Sequence, residues 1–91
     1  MTIHVATTSA GAYEVTVEGA STTVHSVTVA QEYLQKLTSG RASAEKLIEK
    51  SFEFLLERES NTSILCSFDL PMIQRYFPEY ERTITAALRE R

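Results

Sequence analysis

The run YEVTVE at residues 13–18 has the clearest alternation of apolar and polar side chains in this chain. Tyr13, Val15 and Val17 point to one face of an extended strand, and the residues between them point to the other. This period of two is typical of a half-buried strand in an antiparallel sheet. The run therefore predicts a β-sheet in the first part of the chain.

Two further strands are predicted on either side of this run. Ile3 and Val5 share one face of a short strand before it, and another strand follows at about residues 22–28. Turn signals at residues 9–11 and 18–21 separate the three strands. The first part of the chain thus predicts a three-stranded meander.

The third strand has an irregular phase. Val27 shares a face with His25, whereas Val24 falls on the opposite face. Either a bulge shifts the register there or one of the two valines is exposed.

Helical spacing replaces the alternation after the strands. Residues 28–31 fit a capping box, with Thr28 as the N-cap of a short helix that ends at residues 39–40. Ser43 is predicted to cap the longest helix, at about residues 44–59, whose apolar side chains cover an arc of about 200°. Because so wide an arc indicates burial on two sides, this helix is placed between the sheet and the C-terminal helices.

Two proline residues divide the remainder of the chain. A helix is predicted from Asp69 or Leu70 to Phe77. Pro71 favours the first helical position, which would make Leu70 the N-cap and leave Asp69 just outside the helix, whereas an N-cap role would explain the aspartate. Pro78 begins the last helix.

The predicted fold class is α+β, with an N-terminal three-stranded antiparallel meander packed on a long central helix and further short helices at the C-terminus. The chain is predicted to form one domain, 1–91, with a β-rich part at 1–28 and a helical part at 29–91. The short segment 64–68 has no predicted place in the sheet.

Composition excludes several classes of protein. The 91 residues include 9 Lys+Arg and 12 Asp+Glu, which gives a net charge of −3, and 43% of them are hydrophobic. The single cysteine excludes an internal disulfide framework and a cysteine-based structural zinc site. The acidic balance makes nucleic acid an unlikely partner, because Lys and Arg must meet the phosphate backbone. The apolar runs are too short to cross a membrane, since a spanning helix needs about 20 residues.

The candidates for metal binding or nucleophilic catalysis are His4, His25 and Cys66. None of them lies in a CxxC, HxxH or HExxH spacing, and no glycine-rich phosphate loop is present. We interpret the histidines as ordinary strand residues on a half-exposed face and the cysteine as a small buried hydrophobe. The sequence therefore predicts no catalytic residue, no metal and no cofactor.

The most distinctive stretch lies at residues 68–82, which hold four of the eight aromatic side chains together with two arginines. Tyr and Arg are concentrated at protein interfaces, because each combines a large contact area with a polar tip. The predicted partner-binding residues are Arg75, Tyr76, Tyr80 and Arg82.

A structural alternative explains part of the same stretch, since aromatic residues dominate small cores. In it, an apolar cluster packs against the long helix while Tyr76 and Arg75 point outward. That cluster consists of Phe68, Ile73, Phe77 and Tyr80.

Five blocks of the sequence, at residues 32–34, 51–59, 63–65, 68–70 and 75–81, resemble a family of small bacterial proteins of uncharacterised function. The C-terminal motif of that family reads ILxxFDLxxIxRYFPEYE. The resemblance implies a stand-alone bacterial protein of the cytoplasm, and it brings no active-site residues with it.

Three functions are compatible with these patterns. The first is a non-enzymatic protein-protein interaction or self-association module. The alternative is an RNA or single-stranded nucleic-acid binding protein, in which Lys36, Arg41, Arg75 and Arg82 would have to converge into a basic patch. A small hydrolase or metal enzyme that uses the two histidines comes third.

Overall fold

The computed structural model describes residues 2–89; the first residue and the last two residues of the predicted domain lie outside this range. The strands are β1 (Thr2–Ser9), β2 (Ala12–Glu18), β3 (Thr23–Thr28) and β4 (Ser67–Asp69). The helices are α1 (Gln31–Thr38), α2 (Ala44–Leu56), α3 (Met72–Tyr76) and α4 (Tyr80–Arg89), and a 3-10 turn spans Asn61–Ser63. These elements form a small α+β domain, and the predicted fold class is confirmed.

The first three strands form an antiparallel meander. Val15 of β2 lies opposite Val5 of β1 and opposite His25 of β3. Gly11 closes the first hairpin at a φ of 75°, and a Cβ atom there would lie 3.3 Å from the carbonyl oxygen of Val29. This reversal therefore requires glycine.

One face of the sheet belongs to the core. Val15, Val17 and Val27 are at most 1% exposed. Val24 is 50% exposed on the opposite face, and β2 pairs with β3 without a shift in register. An exposed valine, and not a bulge, therefore explains the irregular phase of the third strand.

The sheet has a fourth strand that the sequence did not predict. β4 runs parallel to β3, with Phe68 opposite Val27, and the strand order is β1-β2-β3-β4. The prediction of a three-stranded sheet is wrong because a strand of three residues is too short to show an alternation. Asp69 belongs to this strand and does not cap a helix.

The beginning of α1 differs from the prediction and its end does not. Thr28 is the last residue of β3, and its hydroxyl donates a hydrogen bond of 2.8 Å to Asp69. The predicted capping box is therefore wrong, and Ala30 stands at the N-cap without a side-chain bond. The predicted end is confirmed, since Ser39 and Gly40 adopt φ values of 52° and 74°.

The helix α2 carries much of the core, with seven of its 13 residues buried. Ser43 caps it as predicted, because its hydroxyl accepts a hydrogen bond of 3.1 Å from the N–H of Lys46. Its length is close to the mean of about 11–12 residues for globular proteins, so the predicted long helix is not seen. At the end of the helix the N–H of Arg58 donates to the carbonyl of Leu55, three residues earlier, at 2.9 Å, which tightens the last turn.

A break separates α3 from α4. Pro71 occupies the N-cap of α3, so this helix begins at Met72, one residue later than Pro71 predicts. The side chain of Gln74 bridges the break: its amide donates to the carbonyl of Pro78 at 2.6 Å, and its carbonyl accepts from the N–H of Glu81 at 2.9 Å. This bridge fixes the direction in which α4 leaves α3.

Candidate protein-docking site

The structure separates the four predicted partner-binding residues. Tyr76 is 66% exposed, and Arg75 and Arg82 are also exposed. Tyr80, in contrast, is 0% exposed. Its prediction as a partner-binding residue is wrong, because a fully buried side chain offers no surface to a partner. The structural alternative describes Tyr80 correctly.

Tyr80 anchors α4 on α2. Its phenol oxygen lies 2.6 Å from the hydroxyl oxygen of Ser51, which itself donates to the carbonyl of Leu47 at 2.7 Å. Since the serine proton is used in that bond, Tyr80 is the donor to Ser51. The tyrosine ring packs against the edge of Phe54, with 5.3 Å between the centroids. Burial raises the pKa of Tyr80 above its usual value of about 10.

Arg58 covers the contact between Tyr80 and Phe54 on its solvent-facing side. Its guanidinium lies 3.6 Å from the centre of the Phe54 ring and donates to the Phe54 carbonyl at 3.0 Å. It also donates to the carboxylate of Glu79 at 3.3 Å. The backbone N–H of Glu79 and then Arg58 lower the pKa of the Glu79 carboxyl. Arg58 is therefore committed to holding α4 and is not free for a ligand.

An apolar cleft of about 280 Å³ opens beside α3. Buried side chains of Leu55, Phe68 and Ile73 line it together with the exposed side chains of Leu65 and Tyr76. We call this feature the Leu65–Tyr76 cleft. It lies next to β4, an edge strand of the sheet, whose outer backbone groups have no partner strand.

The exposed apolar surface of the domain is concentrated at this cleft. Within residues 2–89 the large hydrophobic side chains that remain exposed are Val24 at 50%, Leu65 at 48% and Tyr76 at 66%. Two of these three line the Leu65–Tyr76 cleft. Adjacent exposed apolar side chains mark interaction sites more often than single ones do.

A buried histidine holds one wall of the cleft in place. The Nδ1 of His25 lies 2.7 Å from the carbonyl oxygen of Leu65, so this nitrogen carries the proton and donates it. The Nε2 atom then accepts from the hydroxyl of Thr23 at 2.9 Å. Asn61 donates to the same hydroxyl at 3.1 Å and to the carbonyl of Ser21 at 2.7 Å. This network joins β3 to the segment that carries Leu65.

The sequence offered one clue to this role and no clue to the cleft itself. His25 has the phase of Val27, which belongs to the core face, and at 1% exposure the interpretation of His25 as a residue of a half-exposed face is wrong. Leu65 lies in a short apolar segment, where nothing in the pattern distinguishes an exposed leucine from a buried one. Its exposure follows from the parallel pairing of β4, which is not visible in the sequence.

The other candidates for chemistry lie apart. His4 is on the outer face of the sheet, with its Nε2 atom 3.4 Å from the carboxylate of Glu18, whereas His25 is 1% exposed on the core face. The two histidines therefore do not meet, and only His4 is exposed. Cys66 is exposed, not buried as predicted. Within residues 2–89 no group of three or more His, Cys, Asp or Glu side chains is placed to hold a metal ion.

Two of the four cations of the predicted basic patch share a cavity. Lys36 and Arg41 line one small cavity, and neither Arg75 nor Arg82 lines it. Neither of these two arginines lines the Leu65–Tyr76 cleft either. In the described part of the chain, no helix is both long enough and apolar enough to span a membrane.

No protein-family model, curated protein or solved structure matches this chain. The resemblance to a family of small bacterial proteins therefore stays a prediction. The case for a function depends on the geometry of the domain itself.

Proposed function

We propose that this protein is a non-enzymatic interaction module that binds an apolar side chain of a partner protein in the Leu65–Tyr76 cleft. The observation that carries the proposal is the concentration of exposed apolar surface there: Leu65 and Tyr76 remain about half or more exposed beside a concave apolar surface. Covering such a surface removes apolar area from water, which favours association.

The cleft lies at the small end of ligand sites and is large enough for a side chain of a partner. Its volume of about 280 Å³ lies just below the range of about 300–1,000 Å³ that is typical of sites for drug-sized ligands and cofactors. One or two large apolar side chains fit a space of this size. Interfaces commonly depend on such anchors, which insert into small apolar pockets.

The charge at the rim favours a basic residue near the anchor. Glu59 lines the cleft, and within residues 2–89 its carboxylate has no ion-pair partner. A Lys or Arg beside the anchoring side chain would meet this carboxylate. Such rim charges contribute mainly to specificity and to the rate of association.

The occupant that we propose is a segment of a different protein. A second copy of this chain would either insert an apolar side chain from outside its own cleft or pair the same cleft about a two-fold axis, which would bring two Glu59 carboxylates toward each other. Among residues 2–89 the exposed hydrophobic side chain outside the cleft is Val24, which is smaller than Leu65 or Tyr76 and stands alone on the outer face of the sheet. Self-association is therefore a distinct outcome of the test.

Photo-crosslinking tests the proposal. A benzophenone amino acid replaces Tyr76, and in a matched control it replaces Val24, which is similarly exposed on another face. We expect a discrete crosslinked product in cells from position 76 and not from position 24, with a mass other than twice the 10.2 kDa of the chain. Identical products at both positions, or none at position 76, would contradict the proposal. A product of twice the chain mass would replace the foreign partner with a second copy.

Nucleic-acid binding has weaker support. Of the four cations that it requires, Lys36 and Arg41 line one cavity and the other two do not line it. An RNA adduct in the same crosslinking experiment would favour this alternative.

A further inference from the structure

A second cavity, of about 220 Å³, lies where the C-terminal ends of α1 and α4 meet. Three cationic side chains line it, and among residues 2–89 no acidic side chain does. They are Lys36 from α1, Arg41 from the loop after α1, and Arg89 from the end of α4. We call this cavity the basic pocket. It stands out in a protein whose net charge is −3.

Two of these cations are free to bind a ligand. Within residues 2–89 the guanidinium groups of Arg41 and Arg89 make no hydrogen bond and no ion pair. Lys36 is held by Glu81 at 3.2 Å, and Glu81 in turn accepts a bond of 2.9 Å from the hydroxyl of Tyr33. The lysine is therefore positioned at the pocket while the two arginines keep all their donors.

Capping of the Leu34, Gln35 and Thr38 carbonyls of α1 does not account for these cations. Cations are favoured near helix C-termini, where carbonyl groups lack donors. At the end of α1, however, the N–H of Ser39 donates to the carbonyl of Gln35 at 2.8 Å, and the N–H of Arg41 donates to that of Thr38 at 2.9 Å. The Thr38 hydroxyl donates to the carbonyl of Leu34 at 2.8 Å.

The charges around the basic pocket also favour the binding of an anion. Each helix end carries a dipole equivalent to about half a negative charge. Two such ends offset about one of the three positive charges at the pocket, and the carboxylate of Glu81 offsets the charge of Lys36. Among residues 2–89, a net positive charge therefore remains in the pocket from Arg41 and Arg89.

We propose that the basic pocket binds the phosphate group of a small molecule. Two guanidinium groups present paired N–H donors in a planar fork, which matches the oxygen atoms of phosphate, and an ammonium group adds a third charge. The cavity of about 220 Å³ has room for a phosphate group together with a small attached group. The ligand is therefore inorganic phosphate or a small phosphate monoester. This site is independent of the Leu65–Tyr76 cleft.

Titration followed by NMR tests this site with two probes, inorganic phosphate and phenyl phosphate, against sodium chloride at equal ionic strength. We expect saturating shifts of the backbone amides at residues 39–41 and 85–89, which chloride does not produce. Tighter binding of phenyl phosphate would identify a monoester as the ligand class, and equal or tighter binding of inorganic phosphate would identify the free ion.

Three variants make the test specific. Arg41→Gln and Arg89→Gln should each weaken binding about tenfold or more, because each removes one of the two free forks. Arg75→Gln removes an equally exposed arginine outside the pocket and should leave the affinity unchanged. The same spectra report whether each variant is folded. Shifts that do not saturate, or that weaken equally in all three variants, would show general electrostatic attraction and would overturn the proposal, as would the absence of shifts.

Discussion

Tyr76 and Tyr80 are four residues apart, yet one is 66% exposed and the other is 0% exposed. In an unbroken helix, residues at this spacing share a face. The break between α3 and α4 separates them: Phe77 leaves helical geometry at a φ of −131° and a ψ of 89°, and Pro78 follows. The break between the helices, and not the residue type, therefore places Tyr80 in the interior and Tyr76 at the cleft.

The region around Tyr80 and the Leu65–Tyr76 cleft also differ in how fully their polar groups are paired and their apolar surface is covered. Around Tyr80 every polar atom has a partner, and within residues 2–89 no buried side-chain nitrogen or oxygen lacks a hydrogen bond. At the Leu65–Tyr76 cleft, apolar surface remains in contact with water. The interior region therefore contributes to stability, while the cleft gains free energy only when something covers it.

The largest effect is expected from Tyr80→Ala. Removing a fully buried aromatic side chain should lower the free energy of unfolding by about 3–5 kcal/mol, through lost burial and the cavity left behind. Urea denaturation of this variant beside Tyr76→Ala gives the measurement. A loss below about 1 kcal/mol for Tyr80→Ala would place this residue at the surface and end the distinction between the two regions.

The next effect concerns His25, which connects the interior to the cleft. His25→Ala leaves the carbonyl of Leu65 without its donor, and we expect a loss of about 2–3 kcal/mol. Hydrogen exchange should show faster opening of the segment before β4. His4→Ala is the matched control, because His4 is an exposed strand residue, and it should change stability by less than about 0.5 kcal/mol. Equal effects of the two substitutions would contradict the role of His25.

A smaller effect is expected from Tyr80→Phe, and it depends on pH. At neutral pH the variant loses the bond to Ser51, which costs about 1 kcal/mol. Because the pKa of Tyr80 is raised in the folded state, the phenol of the wild type ionises first in the unfolded state, at about pH 10. The stability of the wild type therefore falls above that pH by about 1.4 kcal/mol per unit for this group.

The Tyr80→Phe variant has no phenol at this position, so its stability does not fall through ionisation of this group. The difference in stability between wild type and Tyr80→Phe should therefore close by about pH 11. Denaturation curves at pH 7 and pH 11 provide the comparison. A difference that stays constant with pH would show that Tyr80 is not shielded from water in the folded protein.

The smallest effect on stability is expected at the cleft. Tyr76→Ser and Leu65→Ser should each change the free energy of unfolding by no more than about 0.5 kcal/mol, as surface substitutions do. Thermal denaturation is sufficient to detect a larger change. A loss of several kcal/mol would show that these side chains support the fold and are not kept free for a partner.

The meander and the cap of α2 could be predicted because their signals are local. The alternation at residues 13–18 and the position of Ser43 each depend on neighbouring residues alone. β4 was missed because three residues carry no periodicity and their partners in β3 are distant in the sequence. Thr28 was assigned to a capping box for the same reason, since its real partner, Asp69, lies on that missing strand.

The site was predicted in part. The aromatic stretch was identified, and the outward position of Tyr76 and Arg75 is confirmed. Tyr80 was misplaced because its burial depends on the turn at Pro78 and on a bond to Ser51, which lies 29 residues earlier. Leu65 was not identified at all, because its position is set by β4 and by His25.

The most direct test uses the partner protein that crosslinking identifies, purified without the crosslink. Its dissociation constant is measured for two variants, Leu65→Ser and Val24→Ser, whose mutated positions have similar exposure. Val24 and Leu65 are 50% and 48% exposed, so general loss of surface hydrophobicity affects both variants alike. A docking site in the Leu65–Tyr76 cleft predicts binding that is weaker by about tenfold or more for Leu65→Ser, since an anchor contact contributes at least about 1.4 kcal/mol. It predicts unchanged binding for Val24→Ser. Equal affinity of the two variants would show that the partner binds elsewhere.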